Sequence, residues 1–288
     1  MKEEQQISLD NPSKNARLLM KSSVDEVLRL QNELFCNQLL RDIKSHSLFR
    51  NPAIDALQSG TFDKVTLRDV HLDFRHGGVQ IFTDAIVMAQ FHTRQLEHRL
   101  GAKGKMAARF LLALNLLDEF GFRPGCGESK NERYRGNPLL SHPVLFDAML
   151  EEFGVDDLVR DSFLESQAAR ELRGSFEGAF GDFWSLLVLL VVAEEIAMVF
   201  SPAMRRATRM VGVNVEHGYY MVHGSSEDTS ATAFDDDHQR DAFEILLCTI
   251  APHQYAEIRA VAMDCCRLWD CFWRAQMVRL PKELSMSR

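Results

Sequence analysis

The stretch FWSLLVLLVVAEEIAMVF, from Phe183 to Phe200, is the most apolar run of the chain and decides the fold. Glu194 and Glu195 interrupt it, so its uncharged part is shorter than the roughly 20 residues that a membrane-spanning helix needs. A helix that is apolar on all sides belongs in a protein interior. We therefore expect the central, buried helix of a bundle, and no membrane association.

Apolar side chains elsewhere in the chain are spaced as in amphipathic helices. VDEVLRLQNELFCNQLLRDI, residues 24–43, repeats them three and four positions apart. The same spacing predicts a helix over residues 66–100, interrupted at Gly77-Gly78, where helix propensity is lowest. It also predicts a helix over residues 105–121 that ends at Gly121 as a C-terminal cap. No β-type alternation, repeat or linker is visible, and the fold class expected is all-α.

Composition and charge narrow the class of protein. Lys and Arg number 33 against 41 Asp and Glu, a formal charge of −8, which argues against a nucleic-acid partner. No apolar leader is visible, and six cysteines lack disulfide-framework spacing, which indicates a reducing, cytoplasmic location. We expect a polar lead-in, residues 1–20, followed by one helical bundle domain, residues 21–288.

Several ionisable residues occur where apolar neighbours predict burial. Glu119 ends an apolar helix, and His142 begins the next one. Glu194 and Glu195 lie in the most apolar helix, where a carboxylate without a partner costs several kcal/mol. At least one of this pair therefore needs a cationic partner, and a metal ion is the strongest one. In a Glu-Glu pair one member usually reaches water, so only one is expected to be a ligand.

The later part of the chain adds ligand-type residues of the same chemistry. His223 follows YYMV, and Asp235 and His238 are spaced so that both lie on one helical face. Carboxylates and imidazoles on facing helices build dinuclear metal sites, and mixed oxygen and nitrogen ligands suit iron. Each residue also has a plainer interpretation, such as a solvated helix end for Glu119 or an acidic first turn for residues 235–238. The other histidines, His71 included, are interpreted as structural or surface residues.

Taken in order, these segments resemble the haem-oxygenase-like di-iron oxidases and oxygenases. That family is a branch of a seven-helix fold shared with thiaminase-like and quinone-cofactor-synthesis proteins. The resemblance covers about residues 40–275. It rests on the segments SHSLFRNPAIDALQSGTFDKVTLRDVHLDFRHGGVQIFTDAI, NLLDEFG, SHPVLFDAMLEEFGV, VVAEEIAMVF, and YYMVHG with DDDHQRDAFEIL. It implies a haem-oxygenase-like seven-helix bundle with a metal-ligand set of Glu119, His142, Glu194 or Glu195, His223, Asp235 and His238.

Two insertions distinguish this chain from the family pattern. Glu119 and His142 lie farther apart than the family's first glutamate and histidine. The family's last motif is His-x3-Asp-x2-His, whereas GSSEDTSATAF separates His223 from Asp235 here. Without that insertion, Glu227 would take the aspartate position, but Ser230 would replace the last histidine. Asp235 with His238 preserves the motif and is preferred.

The resemblance implies an enzyme that binds two Fe(II) ions and uses O2 as co-substrate, with an external electron donor. We expect N-oxygenation of a small amine or amino acid to a hydroxylamine or nitro product, in specialised metabolism. Oxidative C–C cleavage or desaturation of an amino acid or fatty acid is the alternative within the family. A cluster of arginines could hold a substrate carboxylate, although a solvated helix face is the favoured interpretation of Arg205, Arg206 and Arg209.

Two interpretations from other classes remain. A metal-free, thiaminase-like hydrolase would need a nucleophilic cysteine, with Cys36, Cys126 and Cys248 as candidates. A non-catalytic helical binding protein would turn its acidic and histidine residues outward and bind no iron. A homodimer is compatible with each of these readings.

Overall fold

The computed structural model describes residues 11–124, 134–222 and 234–280, without the side chains of residues 123, 124, 134 and 234–237. Its α-helices are α1 (Pro12–Ser22), α2 (Glu26–Ser45), α3 (Pro52–Gln58), α4 (Lys64–Phe74), α5 (Gln80–His92), α6 (Glu97–Glu119), α7 (His142–Glu152), α8 (Asp157–Ser162), α9 (Gln167–Gly178), α10 (Phe183–Met210), α11 (Tyr219–Val222), α12 (Phe234–Thr249) and α13 (Tyr255–Met277). The all-α prediction is confirmed.

The apolar helix α10 is the centre of the bundle and packs against α3, α5, α12 and α13. Asp182 begins it by accepting a hydrogen bond from the Ser185 amide at 2.7 Å. In composition α10 is long and apolar enough to cross a membrane, but 67% of its most apolar window is buried inside the protein. It is therefore a buried core helix, as the sequence predicts.

The apolar run ends at Phe200, two residues before a proline, yet α10 continues through Pro202 to Met210. A proline inside a helix costs about 3 kcal/mol. Phe200, Ala203 and Met204, next to the proline, are buried. Burial of a large apolar side chain contributes about 1.5–3 kcal/mol, so continuous packing on both sides of Pro202 outweighs the lost hydrogen bond.

The interruption predicted at Gly77-Gly78 is a π-helical turn over Arg75–Val79, between α4 and α5. A Cβ atom on Gly77 would lie 3.2 Å from the Ala169 carbonyl oxygen, so glycine allows α9 to pack closely here. Arg75 donates two hydrogen bonds, at 2.5 and 2.9 Å, to the carboxylate of Asp147 on α7. This bidentate pair fastens the π turn to α7.

A short antiparallel ribbon was not predicted. It joins β1 (Phe122–Pro124) to β2 (Tyr134–Gly136), with Phe122 opposite Gly136. Three-residue strands are too short to show the alternation by which strands are recognised in a sequence.

The predicted boundary between lead-in and bundle, at residue 20, falls inside α1. This helix packs against α6 and α12 and buries Ala16, Arg17 and Met20. Arg17 forms a buried ion pair with Asp241 of α12, with 2.6 Å between Nη1 and Oδ1. Residues 12–22 are therefore part of the packed structure.

The C-terminal end of α12 is held by side-chain donors. Asn32 donates to the carbonyls of Leu247 and Ile250 at 2.8 and 3.0 Å. Arg99 donates to the carbonyls of Thr249 and Ile250, both at 2.6 Å. The last carbonyls of a helix have no partner within the helix, so these donors satisfy them and stabilise the negative end of its dipole.

His71 is fully buried and joins α4 to α10 and α11. Its Nδ1 donates to the Leu67 carbonyl at 2.7 Å, which leaves Nε2 to accept from the Tyr220 hydroxyl at 2.7 Å. Thr208 in turn donates to the Tyr220 oxygen at 3.3 Å. Burial lowers the pKa of His71 to about 4, with the Leu67 hydrogen bond opposing that shift. The folded protein therefore holds this imidazole neutral.

We expect His71 to make stability fall with acidity. Because the pKa of His71 is lower in the folded state than in the unfolded chain, the stability is present above about pH 6.5 and is lost as pH falls towards 4. The loss is about 3 kcal/mol. Urea unfolding at pH 7, 5.5 and 4 should show a smaller acid dependence for His71→Gln than for the wild type.

The control for this prediction is His253→Gln, which removes an exposed histidine. It should keep the wild-type acid dependence. Equal acid dependence in the wild type and in His71→Gln would contradict a neutral, buried His71.

Candidate metal centre

Four of the predicted ligands line one cavity of about 80 Å³: Glu119, His142, Glu194 and His238. The first three are nearly inaccessible to solvent, with 2–5% of their surface exposed. They belong to α6, α7 and α10, and His238 belongs to α12. His223 lies outside the described residues, as does the side chain of Asp235. A binding protein with outward-facing acidic and histidine residues does not match this arrangement.

Glu119 and His142 meet because the chain turns sharply at Gly121. Gly121 has φ of 80°, and a Cβ atom there would lie 2.5 Å from the Leu140 carbonyl carbon. Only glycine allows this close approach. The turn brings the end of α6 against the start of α7, where His142 Nδ1 lies 3.0 Å from Glu119 Oε1. Glu119 and His142 therefore lie at the two ends of the loop and line the same cavity.

The two adjacent glutamates of α10 point to different neighbours. Glu194 lines the cavity, and its Oε1 accepts a long hydrogen bond, 3.4 Å, from Asn115 Nδ2 of α6. Glu195 does not line the cavity in the part of the chain that is described. It accepts a hydrogen bond from Gln239 Nε2 at 2.6 Å and lies 3.2 Å from Lys44 Nζ. The sequence does not show which of the two glutamates faces the cavity, whereas their contacts in the structure do.

His238 lines the cavity from α12, and its Nε2 lies 3.9 Å from Asp118 Oδ2. Asp118 was not predicted as a site residue, because it looks like any other charge at a helix end. The distance is too long for a hydrogen bond.

The donor types suit iron, since carboxylate oxygen and imidazole nitrogen are both present. Among the described residues, no three His, Cys, Asp or Glu side chains converge closely enough to hold one metal ion. Two separate contacts occur at this one cavity. One joins Glu119 to His142, and the other joins Glu194 to Asn115. The donor types present therefore suit iron, but the described residues do not by themselves form a metal site.

The rest of the described lining is mainly apolar and aromatic. It includes Phe74, Phe82, Phe176, Phe200, Met204 and Trp269. Trp273 supports this wall by stacking on Phe200, with 4.2 Å between ring centroids. Ser201 and Tyr219 contribute hydroxyl groups. No Lys or Arg is among the described lining residues, so the polar chemistry is concentrated at the carboxylates and histidines.

The π turn forms part of this wall through Gly78 and Val79. A Cβ atom on Gly78 would lie 3.3 Å from Trp269 Cη2, so the absence of a side chain keeps this corner open. Sequence reasoning found the Gly-Gly interruption but not its role, because nothing local indicates that Trp269 packs against it. π turns are frequent at functional sites.

The arginines of α10 do not line the cavity. Arg205 donates to the Val215 carbonyl at 3.2 Å and to Glu216 at 3.3 Å, and Arg209 lies 2.7 Å from Glu216. Arg206 is exposed. These three arginines are therefore not placed to hold a substrate carboxylate in the described cavity. The favoured alternative, a solvated face, holds for Arg206, whereas Arg205 is buried.

The candidate nucleophilic cysteines are unsuited to that role where they are described. Cys36 and Cys248 are fully buried. Burial, then the charge of Glu244, raises the pKa of Cys36 to about 12, and the same two causes raise the pKa of Cys248. A thiol with a raised pKa gives little thiolate, which is the nucleophilic form. Cys126 lies outside the described residues.

Comparison with known proteins supports the fold. No protein-family model matches the chain, and no curated protein matches it in sequence. A solved structure of a CADD-like protein of unknown function from Nostoc punctiforme is similar, with a TM-score of 0.59 and 14% sequence identity. The similarity covers 87% of this chain and 99% of that one. At this identity it shows the fold alone, and the predicted all-α, single-domain fold is confirmed.

Proposed function

We propose that this protein is a non-haem di-iron oxidoreductase that uses O2 to oxidise a small substrate. The observation that carries the proposal is the single cavity in which two glutamates and two histidines from four helices face an apolar wall. Two buried carboxylates in such surroundings are stable only with positive or hydrogen-bonding partners. Glu119 already contacts His142 and Glu194 already accepts from Asn115; iron held by these carboxylates would add positive charge and would supply the redox chemistry with dioxygen.

The ligands we propose are Glu119, His142, Glu194 and His238, completed by Asp235 and His223. Asn115 orients the Glu194 carboxylate from α6. Fixing a ligand through a second hydrogen-bonded residue is how proteins tune a metal site.

The apolar wall determines what the substrate can be. The described cavity of about 80 Å³ is small, which favours a small substrate group beside the carboxylates and histidines. The hydroxyls of Ser201 and Tyr219 can orient a polar group there. A substrate carboxylate finds no described Lys or Arg in the lining, so it would have to bind at the metal centre itself. We propose N-oxygenation of a small amine, with an amino acid as the second choice, and C–C cleavage or desaturation as the alternative reaction.

The first test is anaerobic binding of Fe(II), measured by equilibrium dialysis. We expect the wild type to bind two irons per chain. Glu194→Ala should lower the iron bound at the same free concentration by about tenfold or more, because it removes a ligand.

Glu151→Ala serves as the matched control, since Glu151 is an exposed glutamate on α7. It should bind iron as the wild type does. Absence of iron uptake by the wild type would rule out the di-iron proposal.

The second test narrows the cavity. Gly78→Val places a branched side chain against Trp269, so it should keep iron binding but lower substrate-dependent O2 consumption about tenfold or more, because the reactive end no longer fits. Primary amines of increasing chain length are the probes, and an oxygen electrode gives the rate.

Gly174→Val is the control, because nothing lies within 4 Å of a Cβ at this exposed glycine of α9. It should behave as the wild type. Equal rates for Gly78→Val and the wild type with every amine would place the substrate elsewhere.

The third test asks whether Cys36 or Cys248 is reactive enough to serve as the nucleophile of a metal-free hydrolase. In a Cys126→Ser background, the exposed thiol of Cys271 should react rapidly with a disulfide reagent at pH 8. Cys36, Cys248, Cys265 and Cys266 should react only after unfolding, because all four are buried. No second thiol should react rapidly if this expectation is right. If one does, and the fast reaction is lost in Cys36→Ser or Cys248→Ser, the result favours the hydrolase.

A further inference from the structure

We infer that Glu195 is a positioning residue that holds α12 so that His238 faces the cavity. The inference rests on the proposed function, because it concerns the same site. It gives the two adjacent glutamates of α10 different tasks. Glu194 faces the cavity, and Glu195 holds the helix that forms the opposite wall.

The first step is the direction of the two side chains. Successive residues of an α-helix point about 100° apart, since one turn takes 3.6 residues. Glu194 therefore reaches Asn115 of α6, while Glu195 reaches Gln239 of α12 and Lys44 of α2. Both carboxylates are buried, with 5% and 2% of the residue exposed.

The second step concerns which contact of Glu195 is the stronger. Gln239 Nε2 donates to Glu195 Oε1 at 2.6 Å, a short hydrogen bond to a charged acceptor. Lys44 lies 3.2 Å away, but 51% of its side chain is exposed, so solvent screens that ion pair. Gln239 is therefore the main partner that holds Glu195 to α12.

The third step is the place of Gln239 on its helix. It follows His238 directly and lies near the start of α12, which begins at Phe234. The far end of α12 is held by Asn32 and Arg99. Near the other end, Arg17 holds Asp241, and the Glu195 contact restrains Gln239, directly after the residue that enters the cavity. Its loss should let the first turns of α12 open and carry His238 with them.

The experiment measures that opening without any metal. Hydrogen exchange of the metal-free protein reports the amides of residues 236–243. In Glu195→Ala and in Gln239→Leu we expect these amides to exchange about tenfold faster or more, as loss of a hydrogen bond to a charged group predicts. Glu195→Gln should restore slow exchange, because its amide oxygen still accepts from Gln239.

Arg240→Leu is the matched control, because Arg240 is exposed and adjacent to Gln239 on the same helix. It should leave exchange unchanged. Fe(II) dialysis on the same variants should show weaker binding, by about tenfold, in Glu195→Ala and Gln239→Leu, with recovery in Glu195→Gln. A general loss of stability would speed exchange in the other helices too, not only at residues 236–243.

Two results would overturn the inference. One is unchanged exchange of residues 236–243 in both Glu195→Ala and Gln239→Leu. The other is equal damage by Glu195→Ala and Glu195→Gln, which would show that the charge and not the hydrogen bond matters. If the wild type binds no iron, the proposed function fails, and the exchange data still decide whether Glu195 positions α12.

Discussion

Burial of two carboxylates in the middle of an apolar helix is the constraint on which the rest of this structure depends. Glu194 and Glu195 interrupt the most apolar segment of the chain, and both are buried in α10. Such groups are tolerated only when hydrogen bonds or opposite charges compensate for lost hydration. The neighbours of α10 supply those partners, namely Asn115, Gln239 and Lys44. Two charged residues of α10 are thus linked by side-chain contacts to α6, α12 and α2.

Two departures from regular α-helix geometry shape the cavity as much as side chains do. Gly121 allows the end of α6 to lie against the start of α7, which joins Glu119 to His142. The π turn of residues 75–79 puts Gly78 against Trp269 and is fastened to α7 through Arg75. At both places a glycine leaves out a side chain where two elements approach closely. The cavity is thus a consequence of helix ends and interruptions inside the bundle.

The polar and apolar parts of the cavity have separate tasks. The carboxylates and histidines line the cavity from α6, α7, α10 and α12. The aromatic side chains of Phe74, Phe200 and Trp269 line it beside them. An apolar wall excludes water and strengthens every electrostatic interaction inside it. The buried His71 network belongs to neither part. It holds α11, and with it Tyr219, in place beside the cavity.

The sequence by itself determined the all-α class, the central buried helix, the interruption at Gly77-Gly78 and the cap at Gly121. It also singled out Glu119, His142 and His238, because charged residues within apolar patterns stand out without any structure. These features are local, since periodicity and propensity act over a few residues. The continuation of α10 through Pro202 and the ribbon of β1 and β2 escaped prediction, because packing outweighed propensity in the first and three residues carry no pattern in the second.

Only the tertiary structure decided which glutamate faces the cavity, that Arg205 and Arg209 pair with Glu216 outside it, and that Gly78 opens a corner beside Trp269. Each of these depends on residues far apart in the chain, such as Glu195 and Gln239. A local pattern cannot contain that information. Long-range packing sets the direction in which each side chain points, and those directions distinguish a cavity residue from its neighbour.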